Sequence, residues 1–436
     1  MKKYLAVPHR FYNGVDGEII HFDEESLNLT ELTSLHQSVL AEFQQARTKE
    51  EMMECYAHDE NISGIIDELI GLELIQEKPP LPYLPIVNLQ PKVRAFRIVL
   101  TEQCNLRCAE CFVTKNQDNL RTMTAETLER VIRQSVAYGA TDHIIYHFFG
   151  GEPLIRFDYI KRAVEILEEA VAHSHMVQPF YTITTNLTLL KDEILSFFAK
   201  YDFKVGVSVD GPEDVNDKLR VYLGGRGTFQ DVTRNYKRLI EAGIDSHVLI
   251  TPHPDYLDEL PIIFRTVLEQ FPMKTITVNT PLHFHTVQWT VPGERYARLL
   301  IQLLRIAREF GVSVDSAASP PLAALAGNIR REGPCALICD RIMAAVGPDG
   351  SMSFCAQKWH PYLTVSNVKA DTEMQTPIRR ADECITCEAR HICGGPCPAY
   401  QRISGGKLDD NKCAFMRTLL KETIVNLDLF EVPTNT

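Results

Sequence analysis

From residue 95 to about residue 310, short runs rich in β-branched and aromatic residues alternate with longer stretches in which apolar residues recur three and four positions apart. The spacing predicts strands over 96–100, 143–149, 181–185, 204–209, 247–250 and 275–278. Helices are predicted over 125–137, 160–172, 192–200, 229–242, 257–270 and 294–309. Six consecutive strand–helix repeats leave few topologies open. They fold as a parallel sheet with right-handed crossovers, covered by helices. Such a sheet gathers the loops that follow its strands at one edge, where ligand sites of parallel sheets and barrels lie. The polar motifs of this chain fall just after strands, so they are expected to meet.

Residues 1–78 form a separate small α+β unit by the same criteria. Strands are expected over 4–12 and 18–22, helices over 32–45, 49–57 and 62–72, and a closing strand at Leu74-Ile75, an order compatible with a winged-helix fold. Cys55 in this unit is expected to be a buried apolar side chain. Four prolines between Pro79 and Pro85 mark residues 79–94 as an extended linker. The core is expected over 95–315. Residues 325–436 have little periodicity and much cysteine, glycine and proline, which points to a unit whose fold depends on metal.

Charge and cysteine content exclude several classes. Of the net charge of −12, residues 1–80 carry −10, from six Lys/Arg against sixteen Asp/Glu. That is the wrong sign for a phosphate-backbone partner, so no nucleic acid is expected. No apolar run reaches the roughly 18 residues that a membrane helix needs, and residues 1–9 lack the apolar stretch of a secretory signal. Eleven of the twelve cysteines cluster at 104–111 and 335–413, and that clustering without such a signal reads as metal ligation in a reducing cytoplasm.

Three of them, Cys104, Cys108 and Cys111, stand at the spacing C-x3-C-x2-C directly after the first core strand. Three thiolates on one tight loop can hold three irons of a [4Fe–4S] cubane and leave the fourth iron to a ligand that is not protein. A zinc knuckle would need a fourth ligand close by, and the loop has none. The second strand runs into Gly150-Gly151-Glu152-Pro153, whose glycines let backbone approach a ligand and bare its polar groups. The third and fourth strands lead into Thr184-Thr185-Asn186 and Ser208-Val209-Asp210-Gly211.

This arrangement resembles the radical S-adenosylmethionine (radical SAM) superfamily. The resemblance implies an α/β fold built on a partial (β/α)6 TIM-type barrel, and an open iron that binds the methionine moiety of S-adenosylmethionine. It implies cofactor contacts from Gly150, Gly151, Glu152, Pro153, Thr184, Asn186, Ser208 and Asp210. An arginine for the methionine carboxylate is also implied, a role for which Arg220 and Arg226 compete. The family usually has an aromatic residue before the last loop cysteine; here Glu110 stands there, and Phe112 follows Cys111 as the aromatic candidate. Further on, Cys339, Cys355, Cys384, Cys387, Cys393, Cys397 and Cys413 resemble the SPASM extension of radical SAM enzymes that modify peptides. Cys335 makes eight, enough for two auxiliary [4Fe–4S] clusters. By the family's interleaved pattern Cys335, Cys339, Cys355 and Cys397 would hold one, and Cys384, Cys387, Cys393 and Cys413 the other.

The implied chemistry is reductive cleavage of S-adenosylmethionine followed by hydrogen abstraction from an unactivated C–H bond. The N-terminal unit resembles the leader-recognition domain of ribosomal-peptide maturases, which take a leader segment as an added strand. The expected partners are therefore a precursor peptide with its leader and a flavodoxin- or ferredoxin-type electron donor, and the expected product is a thioether or carbon–carbon cross-link. Sulfatase maturation, peptide splicing and epimerisation are the alternatives, with a non-catalytic iron–sulfur scaffold as the alternative of another class. In sulfatase-maturating enzymes an aspartate acting as base follows the cysteine in the position of Cys355, where this chain has Ala356. His283 and His285, and Lys358, Trp359 and His360, are candidates to face substrate; no catalytic base is assigned.

Overall fold

The computed structural model describes residues 2–14, 17–77, 93–109, 111, 113, 120–138, 144–173, 178–283, 288–331, 342–353, 382–397, 400–401, 404–427 and 434–435. Most of the 79–94 linker, Glu110, Phe112, Phe284, His285, Cys335, Cys339, Cys355, Ala356, Lys358, Trp359 and His360 lie outside the described residues.

The chain begins with β1 (Lys3–Ala6), β2 (His9–Asn13), β3 (Ile19–Asp23), β4 (Leu29–Leu32), α1 (Ser34–Glu42), β5 (Arg47–Thr48), α2 (Lys49–Cys55), α3 (Ile62–Gly71) and β6 (Ile75–Gln76). The single strand expected over 4–12 is two strands in different sheets: β1 lies between β5 and β6, and β2 pairs antiparallel with β3. The break falls at Val7-Pro8, where proline has no N–H to offer a ladder. α2 starts in a reciprocal cap, with Glu51 N donating to Thr48 Oγ1 and Thr48 N to the Glu51 carboxylate. Cys55, expected inside, is exposed at the end of α2, where Met52 takes the buried position.

This N-terminal unit is divided between two cores. Val39, Leu40, Phe43, Met52, Ile66 and Leu69 form one of their own. Ile20, Phe22, Leu27 and Leu29, from β3 to β4, belong to the main core of the molecule. Phe22 is fully buried there. Phe22→Ala is therefore expected to destabilise the body of the protein, not only its N-terminus, by roughly 3–5 kcal/mol. A lowered denaturation midpoint for signals from the main sheet would show this; an unchanged one would make the hairpin an appendage.

The main body runs β7 (Val93–Thr101), α4 (Ala125–Tyr138), β8 (Ile145–Gly150), α5 (Phe157–His173), β9 (Phe180–Thr185), α6 (Asp192–Lys200), β10 (Lys204–Ser208), α7 (Glu213–Leu219), α8 (Phe229–Glu241), β11 (Ser246–Ile250), α9 (Leu260–Gln270) and β12 (Thr275–Val278). It continues through the small hairpin β13 (Leu282–His283) and β14 (Gln288–Trp289) to α10 (Gly293–Glu309), β15 (Ser313–Ser316) and α11 (Ser319–Ala326). The cysteine-rich part supplies β16 (Ile342–Val346), β17 (Met352–Ser353), α12 (Asp382–Ile385), α13 (Arg390–Cys393), α14 (Asp410–Ile424) and β18 (Thr434–Asn435).

The six expected strands are all present, side by side and parallel, in the order β12-β11-β10-β9-β8-β7. Two further parallel strands extend them, β15 beside β12 and β16 beside β7. β16 comes from the region without periodicity, because it is short and its flanks are not apolar. Its pairing, from Ile342 opposite Val93 to Val346 opposite Ile98, moves the strand that carries the cysteine loop into the interior of the sheet. α14 packs on α10, with the rings of Tyr296 and Phe415 stacked 5.7 Å apart. A Cβ on Gly293 would lie 1.8 Å from the Asn411 carbonyl, so only glycine admits this helix contact. No helix among the described residues is long and apolar enough to cross a membrane.

Candidate metal and cofactor site

The cysteine loop leaves β7 at Thr101 and is fastened from below and from both sides. Buried Glu102 accepts from Arg121 N at 2.7 Å and from Arg121 Nη2 at 2.6 Å, which ties the loop to the segment that leads into α4. Arg107 N donates to Val221 O and Ala109 N to Leu219 O, each at 2.8 Å, pinning the cysteines to the end of α7 and the residues just after it. Leu106 N points at Cys104 Sγ, 3.4 Å away.

The Gly-Gly-Glu-Pro turn has a structural task that the sequence does not announce. Its glycines approach the cysteine loop itself. Gly151 N donates to Thr101 O at 2.8 Å and Glu152 N to Gln103 O at 2.9 Å. A Cβ on Gly151 would stand 2.3 Å from Gln103 O, and one on Gly150, whose φ is +148°, 2.2 Å from Thr101 O. Both N–H groups are thus spent on the cysteine loop, which the turn seats, while the carbonyls of Gly150 and Gly151 are the groups that can accept from a cofactor ammonium. Pro153 is buried at the start of a short 3-10 turn.

Glu152 is fully buried, and its carboxylate accepts from Leu154 N (2.9 Å), Thr185 Oγ1 (2.8 Å) and Asn186 N (2.8 Å). It joins the ends of β8 and β9. Burial pushes its carboxyl up to about 7 against the pull of these hydrogen bonds. Asn186 in turn donates to Asn105 Oδ1 at 3.0 Å and lies 3.8 Å from Cys104 Sγ. Thr184 Oγ1 bonds His147 Nε2 at 2.9 Å across the strands. Ser208 ends β10 half-buried.

The two arginines that compete in sequence are separated in space. Arg220 lies beside Cys108 and is paired to Asp210, with Nε 2.7 Å from Oδ2. Burial works against its charge, but Asp210 and the nearby thiols outweigh that and hold it more firmly charged than an ordinary arginine. Arg226 is two-thirds exposed and pairs with Asp231 on the outer surface.

The donor set fits iron. No disulfide joins the nine described cysteines. Burial pushes the Cys104 thiol up to about 12, helped by Glu152 and the other loop thiols, and Cys108 to about 11 in spite of Arg220. These thiols hold their protons until a cation replaces them, so metal uptake releases protons here. Among the described residues no three His, Cys, Asp or Glu side chains already meet as a mononuclear metal site. Near the C-terminus Cys384, Cys387, Cys393, Cys397 and Cys413 line one cavity, together with Arg390. The interleaved pattern sends Cys397 to a different cluster, yet it stands in the wall of this same cavity. Burial pushes Cys413 up to about 11, with Cys393 adding to it.

Sequence reasoning missed Glu102 with Arg121 and Asn105, which act on the loop rather than on a ligand, and His147, which links Arg97 to Thr184 across the strands. Glu102 and Asn105 sit inside the motif and were legible as polar groups without a partner. Arg97 Nε donates to His147 Nδ1 at 3.2 Å, which leaves Nε2 to carry the proton toward Thr184. Nothing in the alternation of β7 and β8 distinguishes these two from solvent-facing positions.

Residues 98–267 match the family model of the Radical SAM superfamily, so the chain carries a radical SAM domain. A cysteine-type anaerobic sulfatase-maturating enzyme of Clostridium novyi is 27% identical over 155 residues, 34% of this chain and 41% of that protein. The chain therefore spans less than half the length of that relative. The structure of anSMEcpe with bound AdoMet superposes with a TM-score of 0.62 at 19% identity, covering 77% of this chain and 95% of the other. That of Streptococcus suis SuiB bound to precursor peptide SuiA gives 0.57 at 16% identity, covering 95% and 99%.

Proposed function

We propose that this chain is a radical SAM peptide maturase that acts on a ribosomally made precursor and closes a thioether or carbon–carbon cross-link. The observation that carries the reading is the cysteine loop, seated at the C-terminal edge of a parallel sheet with Arg220 and Asp210 at its side. Cys104, Cys108 and Cys111 would hold a [4Fe–4S] cluster, and the C-terminal cavity an auxiliary one. When bound, the cluster and S-adenosylmethionine supply reductive cleavage of the cofactor and hydrogen abstraction from substrate. The chain's own residues do the positioning. Glu152 and Asn186 hold the strand ends under Cys104, and Arg220 offers a guanidinium to the cofactor carboxylate.

Two features support a peptide with a leader. The match to SuiB extends over nearly the whole chain, whereas that to anSMEcpe leaves about a quarter of it uncovered. The sheet of the N-terminal hairpin runs β18-β4-β3-β2, so β18 covers the edge of β4 and β2 is the outer strand to which a leader can add. The sulfatase-maturating reading keeps the activity of the relative from Clostridium novyi but lacks its aspartate at Ala356.

The anaerobically iron-loaded protein, given reductant, S-adenosylmethionine and a leader-bearing precursor, is expected to yield a cross-linked peptide short of two hydrogens. Oxidation of one cysteine or serine in a sulfatase-type peptide, with no cross-link in any precursor, would replace this reading by the other. Arg220→Lys loses the planar fork and is expected to weaken S-adenosylmethionine binding roughly tenfold or more. Arg226→Lys should stay within about twofold, as exposed pairs contribute little. Calorimetric titration of the cofactor into the loaded variants distinguishes the two, and the reverse ranking would move the assignment to Arg226.

A further inference from the structure

The turn between β3 and β4 is joined to the cysteine-bearing helix α13 by a buried charge network that neither segment could satisfy alone. Glu24 and Glu25 retain 7% and 1% of their surface, Arg390 and His391 4% and 1%. The Arg390 guanidinium forks between the two carboxylates, Nη1 at 2.5 Å from Glu24 and Nη2 bonded to Glu25. His391 Nε2 lies 3.2 Å from the other Glu25 oxygen. Arg10 bridges Glu24 and Glu388, at 2.9 Å from each, and Arg330 closes on Glu25 at 3.6 Å. Three carboxylates thus face three guanidinium groups, a balanced set.

Glu24, Glu25, Arg390 and His391 are its buried centre, with Arg10, Arg330 and Glu388 on the rim, and burying that centre costs more in desolvation than an apolar contact of the same size would, so stability does not by itself account for it. Its position suggests a use. Arg390 lines the cavity of Cys384, Cys387, Cys393, Cys397 and Cys413, and its Nη1 also donates to Cys387 O at 3.1 Å. Charges fixed in a low-dielectric wall act strongly on whatever the cavity holds. Net charge and hydrogen bonding around an iron–sulfur cluster are the levers that set its potential.

We propose that Glu24 and Glu25 are positioning residues of the C-terminal cysteine cavity, acting through Arg390, so that iron held there is tuned and retained by the N-terminal hairpin. This rests on the reading that the cavity binds a cluster. It goes further in making the peptide-recognition unit and the auxiliary cluster one linked system. Linkage is reciprocal: whatever disturbs iron in the cavity also disturbs the sheet on which a leader would dock.

The test uses the full chain carrying Cys104→Ala, Cys108→Ala and Cys111→Ala, loaded with iron anaerobically, so that only C-terminal iron is observed. Glu25→Gln leaves Arg390 under-compensated and is expected to raise the midpoint potential, because the reduced cluster carries the extra negative charge. Arg390→Gln leaves the carboxylates under-compensated and is expected to lower it. Both should hold iron roughly 10- to 100-fold more weakly in competition with a chelator, the usual effect of removing a partner one layer beyond the ligands. Glu25→Asp keeps the charge and should keep the parental potential, and it decides the matter if Glu25→Gln holds no iron. Opposite shifts support the proposal, since general loosening has no sign. Shifts in the same direction, or none, overturn it, as does a displaced potential in Glu25→Asp. If adding Cys387→Ala and Cys413→Ala leaves the iron and its spectrum unchanged, the cluster assignment itself falls instead.

Discussion

Replacing Cys104, Cys108 and Cys111 together with alanine is expected to abolish cleavage of S-adenosylmethionine to 5′-deoxyadenosine while leaving the C-terminal iron in place. If three four-iron clusters form, iron should fall from about twelve to about eight per chain. The reason lies in how the loop is held. Glu102, Gly151, Arg107 and Ala109 fasten its backbone through groups that the substitutions do not touch. The variant should therefore fold with the thiols missing and the frame intact, which makes the lost activity attributable to the ligands. Undiminished 5′-deoxyadenosine would sink the assignment. Loss of all iron would instead mean that the loop and the C-terminal part depend on one another for folding.

Glu152→Gln should have the second largest effect, and pH makes it specific. Both carboxylate oxygens of Glu152 accept from donors, so the amide that glutamine brings must face an N–H or an O–H. A buried donor left facing donors costs on the order of 1–3 kcal/mol. The parent has a signature of its own. Its folded carboxyl titrates near 7, above the 4.5 of an unperturbed glutamate, so between these values the folded state holds a proton that the unfolded state has released. Stability must then fall as pH rises from 4.5 through 7, by about 3 kcal/mol in total at 1.36 kcal/mol per unit. In Glu152→Gln that share of the slope should vanish, so the variant should be less stable than the parent at pH 5 and the gap should close by pH 8. Denaturant midpoints for both proteins at pH 5 and pH 8 give the comparison, and equal slopes would mean that Glu152 does not titrate in this range. Weaker retention of loop iron should accompany the change, since Asn186 and Asn105 lose their anchor beside Cys104.

The part of the site that was legible in sequence is the part set by local chemistry. A cysteine spacing can be read because one loop must hold one cluster. The strand ends can be read because period-two runs stop where polar residues begin. What a side chain spends its hydrogen bonds on is not local. That Gly151 and Glu152 also hold the cysteine loop is visible only once the Gln103 carbonyl and Asn186 are seen beside them. Arg220 and Arg226 are equivalent in a string of letters and differ only because one turns inward to Asp210 and the other outward to Asp231. Cys55 reads as apolar and is exposed, because Met52, one turn earlier, fills the core position.

The six parallel strands, their helices and the place of the cysteine loop were determined by sequence alone, through periodicities that act over a few residues. The tertiary structure decided what periodicity cannot carry. It placed β16 from a non-periodic region beside β7, and it divided the N-terminal unit between two cores. It also brought Glu24 and Glu25 to Arg390, more than 360 positions away in the chain. Strand pairing and buried ion pairs are made by groups that have no partner within their own segment, and the choice of partner exists only once the chain is folded.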